Sequence, residues 1–164
     1  MPILKELKQT RPFVSAAQEA TVALLRTADI VNRLVDAVIG RHGITGQQYN
    51  VLRILRGAGA KGLPTLEIAV RMIEQTPGIT RLIDRLEAKK LVSRERCATD
   101  RRQVFCRISA AGLALLASLD EPVRAISDEA LRNFSKKDVA QLIELLDRTR
   151  EGTNTTMSNM EVNT

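Results

Sequence analysis

The sequence predicts a mainly helical chain carrying one small β-hairpin. Over most of its 164 residues apolar side chains recur at three- and four-residue spacings, but from 92 to 109 they alternate. Cap and turn residues (Thr45, Thr76, Ser109 and Ser135) punctuate the helical stretches. The length fits one domain of ordinary size, or a small domain with helical extensions.

The first long segment, SAAQEATVALLRTADIVNRLVDAVIG, places Leu24, Ala28, Val31, Val35 and Val38 on one stripe. Leu25, Ile30, Leu34 and Ile39 widen it, so this helix (14–39) requires more than one apolar neighbour. Thr45 and Gln48 have capping-box spacing, with Ile44 and Tyr49 placed as a hydrophobic staple. They open a helix over 46–57 that buries Tyr49, Leu52 and Leu55 and stops at GAGAKG. A short helix over 65–72 turns Leu66, Ile68, Ala69 and Met72 inward. After IEQTP, Thr76 reads as an N-cap and Pro77 as the first helical residue of a helix over 77–89. That helix sets Ile79, Leu82, Ile83 and Leu86 against Thr80, Arg81, Asp84 and Arg85 on the opposite face. Two short helices joined by a turn, the second polar and basic outside, make a helix-turn-helix.

VSRERC and VFCRIS follow as strands with ATDRRQ between them, which adds a wing. Ser109 caps a long helix with Gly112 in its first turn and Leu113, Leu116, Val123, Ile126, Ala130 and Phe134 inward; Pro122 should kink or interrupt it. Ser135 caps a last helix over 136–149 with Val139, Leu142, Ile143, Leu145 and Leu146 inward. The tail from 152 is polar and aperiodic, and is expected to be disordered.

Net charge is +6, and its distribution is uneven. Arg53 to Arg107 holds thirteen Lys/Arg against six Asp/Glu, a net of +7, while the remainder carries −1. Aromatic content is only 2%, too little for a binder that stacks single-stranded bases, but suited to phosphates and grooves of a duplex. Gln75, Thr76, Pro77, Thr80 and Arg81 lie at the start of the second short helix, where backbone N–H groups and side chains would meet phosphates or base edges. Arg85, one turn on, would reach the backbone. Arg101 and Arg102 sit at the wing tip, suited to a narrow minor groove, with Asp100 orienting a neighbouring arginine. Arg94, Arg96 and Arg107 lie on the strands, placed for phosphate contact or solvation.

Catalysis finds no support. His42 is the only histidine, no His/carboxylate cluster has metal spacing, and GAGAKG lacks phosphate-loop spacing and follows a helix. No metal or cofactor is expected. If Arg101 and Arg102 form a tight turn, Cys97 faces Cys106, which would allow a redox pair; two strand residues that stay reduced are the simpler reading. The sequence contains neither an apolar run that spans a bilayer nor an apolar leader, so a cytoplasmic location is expected.

Residues 79–112, ITRLIDRLEAKKLVSRERCATDRRQVFCRISAAG, resemble the recognition helix and wing of the MarR (multiple antibiotic resistance regulator) family. Thr80-Arg81-Leu82, Asp84-Arg85-Leu86-Glu87, Leu91-Val92, Arg94, Asp100-Arg101-Arg102 and Ile108-Ser109 before Gly112 carry the resemblance. Lys90 stands where the family usually has glycine, and Pro64 near its usual Ser/Thr cap. The resemblance implies an arm (1–11), a dimerisation helix (12–40), a winged helix-turn-helix lobe (44–109), C-terminal dimerisation helices (110–151) and a tail (152–164). It further implies a homodimer on a pseudo-palindromic duplex operator; most members repress, and many release DNA when a small aromatic or phenolic anion binds. Arg41, His42 and Tyr49 are the candidate pocket for such a ligand. Thiol-sensing members use a cysteine in the N-terminal helical region, and this chain has none there. The rival reading is a winged-helix protein-interaction subunit that does not bind DNA, which the basic central segment opposes.

Overall fold

A computed structural model describes residues 2–74, 78–96 and 104–162, with side chains as far as 154. Two compact units, Met1–Ile126 and Ser127–Thr164, divide the chain.

In the first unit the helices are α1 (Ile3–Glu6), α2 (Ala16–Ile39), α3 (Gly46–Ala58), α4 (Thr65–Arg71) and α5 (Ile79–Ala88), followed by α6 (Ala110–Ala130) as far as Ile126. Three strands, β1 (Leu63–Pro64), β2 (Val92–Arg96) and β3 (Val104–Ile108), form an antiparallel sheet in the order β1-β3-β2. This is a winged helix-turn-helix. α1 lies inside the segment expected to be an arm, and the Arg26 Nε donates to Glu6 Oε1 at 2.7 Å to hold it on α2.

α3 starts as its sequence dictates. The Thr45 hydroxyl accepts from Gln48 N at 3.3 Å, while the Thr45 N–H donates to Gln48 Oε1 at 3.2 Å. Ile44 and Tyr49 are both buried beside this box, completing the staple. Val51, Leu52 and Leu55 then meet Ile68, Ile83, Leu86, Leu116 and Leu119, all fully buried, in one core. The core therefore lies under the helix-turn-helix and fixes the angle of α5. Much of the expected face of α2 is not part of it: Leu25 is 65% and Leu34 50% exposed, and only Ile39 is buried.

Ser109 joins the end of α5 to the start of α6. Its hydroxyl donates to the Lys90 carbonyl at 2.7 Å and accepts from Gly112 N at 3.0 Å. A Cβ on Gly112 would stand 2.7 Å from Ile108 Cγ1 and closer still to the Leu91 carbonyl, so glycine is required there. Pro122 lies inside α6 without ending it.

Several expectations need correction. α5 begins at Ile79 with Gly78 as N-cap, two residues later than expected, and the expected cap Thr76 and first helical residue Pro77 lie outside the described residues. Gly78 has φ 102°, a left-handed geometry through which a right-handed helix cannot continue backwards. Leu66, expected inward, is 79% exposed, because Ile68 and Met72, four residues apart, set the buried side of α4. β1 was not anticipated. In the second unit α7 (Lys136–Val162) continues through the segment expected to be a disordered tail. That segment holds no proline, and helix extension adds a backbone bond for each residue fixed. The Thr153 hydroxyl also donates back to the Thr149 carbonyl at 3.1 Å.

Candidate nucleic-acid interface

The exposed face of α5 follows from its buried one. Leu82, Ile83 and Leu86 are in the core, so Thr80, Arg81, Asp84 and Arg85 are turned outward, and all four are exposed. Among the described residues no carboxylate pairs with Arg81 or Arg85, whereas Asp84 is engaged from the wing. There the Arg94 Nη2 donates to Asp84 Oδ1 at 2.5 Å and to the Thr80 carbonyl at 3.2 Å, and its Nε lies 3.7 Å from Glu87 Oε2. Arg94 is thus an internal strut between β2 and α5 rather than a free phosphate contact. Its guanidinium contacts both acidic side chains on the helix and offsets one of their two charges, so that Arg81 and Arg85 set the sign of the outer face.

Three further hydrogen bonds hold the segments that flank α5. Asn50 of α3 accepts from Ile73 N at 2.9 Å through its side-chain oxygen, which anchors the chain as it leaves α4. At the other end of α5, Lys90 N donates to the Glu87 carbonyl at 2.8 Å and Leu91 N to the Leu86 carbonyl at 3.0 Å. Those two bonds make a Schellman motif, with Lys90 at φ 59° in the position that favours glycine. Lysine in place of glycine at residue 90 therefore costs strain without changing the helix end.

Arg107 is also committed to the fold. Its Nε donates to the Ala60 carbonyl at 2.9 Å, and its guanidinium pairs with Glu95 on the adjacent strand. Arg96 is exposed. Neither strut could be read from the sequence, since each depends on which elements lie side by side.

The hairpin register corrects the expected cysteine pair. Cys106 stands opposite Arg94, not Cys97. Arg96 pairs with Val104, so the hairpin is centred on position 100 and not between Arg101 and Arg102, and the count shifts. Cys106 is free and fully buried, 3.7 Å from the Thr65 hydroxyl. Burial pushes its thiol up from the ordinary value, against smaller opposing effects of Thr65 and Arg94. Gln75, Thr76, Pro77, Cys97, Asp100, Arg101 and Arg102 lie outside the described residues.

The three residues expected to form a ligand pocket occupy different environments. Tyr49 is in the core with the Arg53 guanidinium 5.8 Å from its ring centroid, while Arg41 and His42 are exposed on the single turn after α2. A cavity of about 300 Å³ between α1 and α2 is lined by Glu6, Glu19 and Arg26 among others, and none of the three residues lines it. Among the described residues there is no group of three or more His, Cys, Asp or Glu that could hold a metal, and no helix is long and apolar enough to cross a membrane.

Residues 42–103 match the model of the MarR family. A MarR transcription factor of known crystal structure from Planctomyces limnophilus is 39% identical, with a TM-score of 0.63 over 83% of this chain and 98% of that one. The HTH-type transcriptional regulator MhqR of Bacillus subtilis (strain 168) is 29% identical over 127 residues, 77% of this chain and 86% of that protein. The homoprotocatechuate degradative operon repressor of Escherichia coli is 25% identical over 127 residues, 77% and 84% of the two chains. With its helix-turn-helix, its wing and the arginine strut between them, the chain belongs to the MarR family of transcriptional regulators.

Proposed function

We propose that the chain is a homodimeric regulator that binds a pseudo-palindromic DNA duplex in a sequence-specific way, and acts as a repressor released by a small aromatic or phenolic anion. The observation that carries the DNA-binding part is the exposed face of α5. Arg81 and Arg85 project from it without carboxylate partners among the described residues, on a helix fixed by the core and by Arg94. Such a helix fits the major groove, with Thr80 and Arg81 near base edges and Arg85 on the backbone. Gln75, Thr76 and Pro77 would precede it there. Arg101 and Arg102, with Asp100 orienting, would serve the minor groove beside it. A protein-interaction role without DNA is disfavoured, because it would leave this basic face without a use.

Dimer formation is supported by apolar surface that the protomer leaves open. Leu25 and Leu34 on α2, and Phe134, Ile143 and Leu145 in the second unit, are each between 47% and 65% exposed. Residues 12–40 and 110–151 are assigned to that interface, and 44–109 to DNA. The repressor role and a phenolic effector rest on a relative named as repressor of a homoprotocatechuate degradative operon. Arg41, His42 and Tyr49 are retained as the candidate effector contacts.

The decisive experiment selects bound duplexes from a random pool and titrates the selected site against salt. Neutralised phosphates release counterions, so affinity should fall about 10³-fold or more between roughly 50 and 200 mM salt. Binding that is insensitive to both salt and sequence would remove the reading.

A further inference from the structure

Polar contacts at both ends of α3 tie the winged lobe (44–109) to the segments that flank it. In the last turn of α3, the Arg56 Nη1 donates to Asp120 Oδ2 on α6 at 2.8 Å. Just before α3, the Lys89 Nζ donates to the Gly43 carbonyl; Lys89 is the C-cap of α5, and Gly43 follows the single turn after α2. The length of α3 between them separates the two ties by roughly 15 Å. The last turn of α2 also touches the start of α3, since Asp36 Oδ1 stands 2.7 Å from where a Cβ on Gly46 would lie.

We infer that Arg56, Asp120 and Lys89 are positioning residues that set which half-site spacing the protein accepts, an inference that rests on the dimeric DNA-binding reading above. On that reading α2 and α6 belong to the dimer interface and α5 to the DNA. The separation of the two α5 helices in a dimer then depends on the angle each lobe makes with its own α2 and α6. Apolar burial joins these parts: Ile39 of α2 and Leu116 and Leu119 of α6 are fully buried in one core with Leu55 and Ile83 of the lobe. Burial has no preferred direction, whereas a hydrogen bond has a narrow range of length and approach. Two such bonds far apart oppose rotation of the lobe about any axis other than the line that joins them. Both contacts are partly exposed and add little to stability, so orientation is what they supply.

The test takes the selected duplex and varies the spacing of its half-sites in single base pairs, each step moving one half-site by about 3.4 Å and turning it by roughly 35°. The wild-type chain should lose roughly tenfold or more in affinity one base pair from its best spacing, because the ties of both protomers resist the change. Asp120→Asn and Lys89→Met should each shrink that loss by at least about threefold. Affinity at the best spacing, base preference within a half-site and melting temperature should stay as in the wild type. Arg56→Asp should act like Asp120→Asn, and adding Asp120→Arg should restore the loss by exchanging the pair. Lys89→Arg keeps a donor at that position and should keep the loss. The same spacing dependence in the wild type and all variants overturns the inference while leaving the DNA-binding reading intact. Equal weakening at every spacing also overturns it, because the side chains would then contact phosphate or merely hold the fold. A wild-type chain that binds the duplex but is indifferent to spacing overturns it as well. Failure to bind any selected duplex removes both readings.

Discussion

The guanidinium of Arg94 on β2 and the carboxylate of Asp84 on α5 are 2.5 Å apart, and the same nitrogen reaches the Thr80 carbonyl at 3.2 Å. One side chain thereby fixes the wing to the helix that would read DNA, and cancels a negative charge in the middle of a basic face. Arg94→Ala should cost little stability, about 0.5–1 kcal/mol, because the pair is partly exposed. Its effect on binding should be larger, roughly tenfold or about 1.4 kcal/mol, since Asp84 and Glu87 would face phosphate uncompensated. Adding Asp84→Asn should recover part of the loss in an anisotropy titration. Unchanged affinity in Arg94→Ala would show that the strut does not serve binding.

Arg81 and Arg85 should separate by the kind of affinity they lose. If Arg81 reads a base edge, Arg81→Ala costs about 1–3 kcal/mol and relaxes preference at one base pair. Arg85→Ala should weaken all duplexes alike and reduce the salt slope by about one. Reselection of sites with each variant checks this, and a uniform loss in Arg81→Ala would reassign it to the backbone.

These two residues also show what sequence alone conveys. The apolar period of Leu82, Ile83 and Leu86 turns Arg81 and Arg85 outward, and that is local information. The Thr45–Gln48 box and the Ser109 cap are legible for the same reason: donor and acceptor lie three residues apart. The strut at Arg94 is not, because Asp84 and Arg94 meet only once α5 and β2 are packed. β1 has two residues and exists through its pairing with Phe105 and Cys106, some forty positions away. The hairpin register differs because the expectation centres the hairpin between Arg101 and Arg102, and a shifted centre moves every cross-strand neighbour. Gly78 shows a limit of cap rules: its φ of 102° sets the start of α5 at Ile79, and a rule that looks for side-chain caps does not see it.

Where the end of α5 meets the start of α6, two positions should respond in opposite ways. Lys90 adopts φ 59°, so Lys90→Gly should stabilise by about 0.5–1 kcal/mol, the left-handed strain relieved exceeding the entropy lost. Gly112→Ala should destabilise by about 1–3 kcal/mol, since its methyl would overlap the Leu91 carbonyl and Ile108. Thermal melts of the two variants should move in opposite directions. A stable Gly112→Ala protein would mean that α6 can shift off β3 at little cost.

Cys106 should behave as a buried core thiol. Its raised pKa and full burial keep it protonated and out of reach of alkylating reagents at neutral pH. In a Cys97→Ser background, labelling should be slow in the native protein and fast in denaturant. In the unsubstituted chain both thiols should survive mild oxidant, because Cys106 faces Arg94 across the hairpin. A Cys97–Cys106 disulfide formed under native conditions would contradict that register.

The N-terminus of α7 should respond to acid through a single carboxylate. The Ser135 hydroxyl and N–H donate to Asp138 Oδ2 at 2.7 and 2.9 Å, and Asp138 N donates back to the Ser135 hydroxyl at 3.2 Å. Those bonds hold the Asp138 carboxyl below its ordinary value, with the side-chain bond from Ser135 as the larger cause. A carboxyl whose folded pKa is depressed contributes stability above its unfolded value of about 3.9, and loses it as pH falls through the lower folded value. Asp138→Asn should therefore be less stable than the wild type at neutral pH, with the gap closing only below about pH 4. Melting curves of both proteins from neutral to acid pH measure the gap directly. A gap that stays constant through the acid range would mean that the charge of Asp138 contributes nothing to the cap.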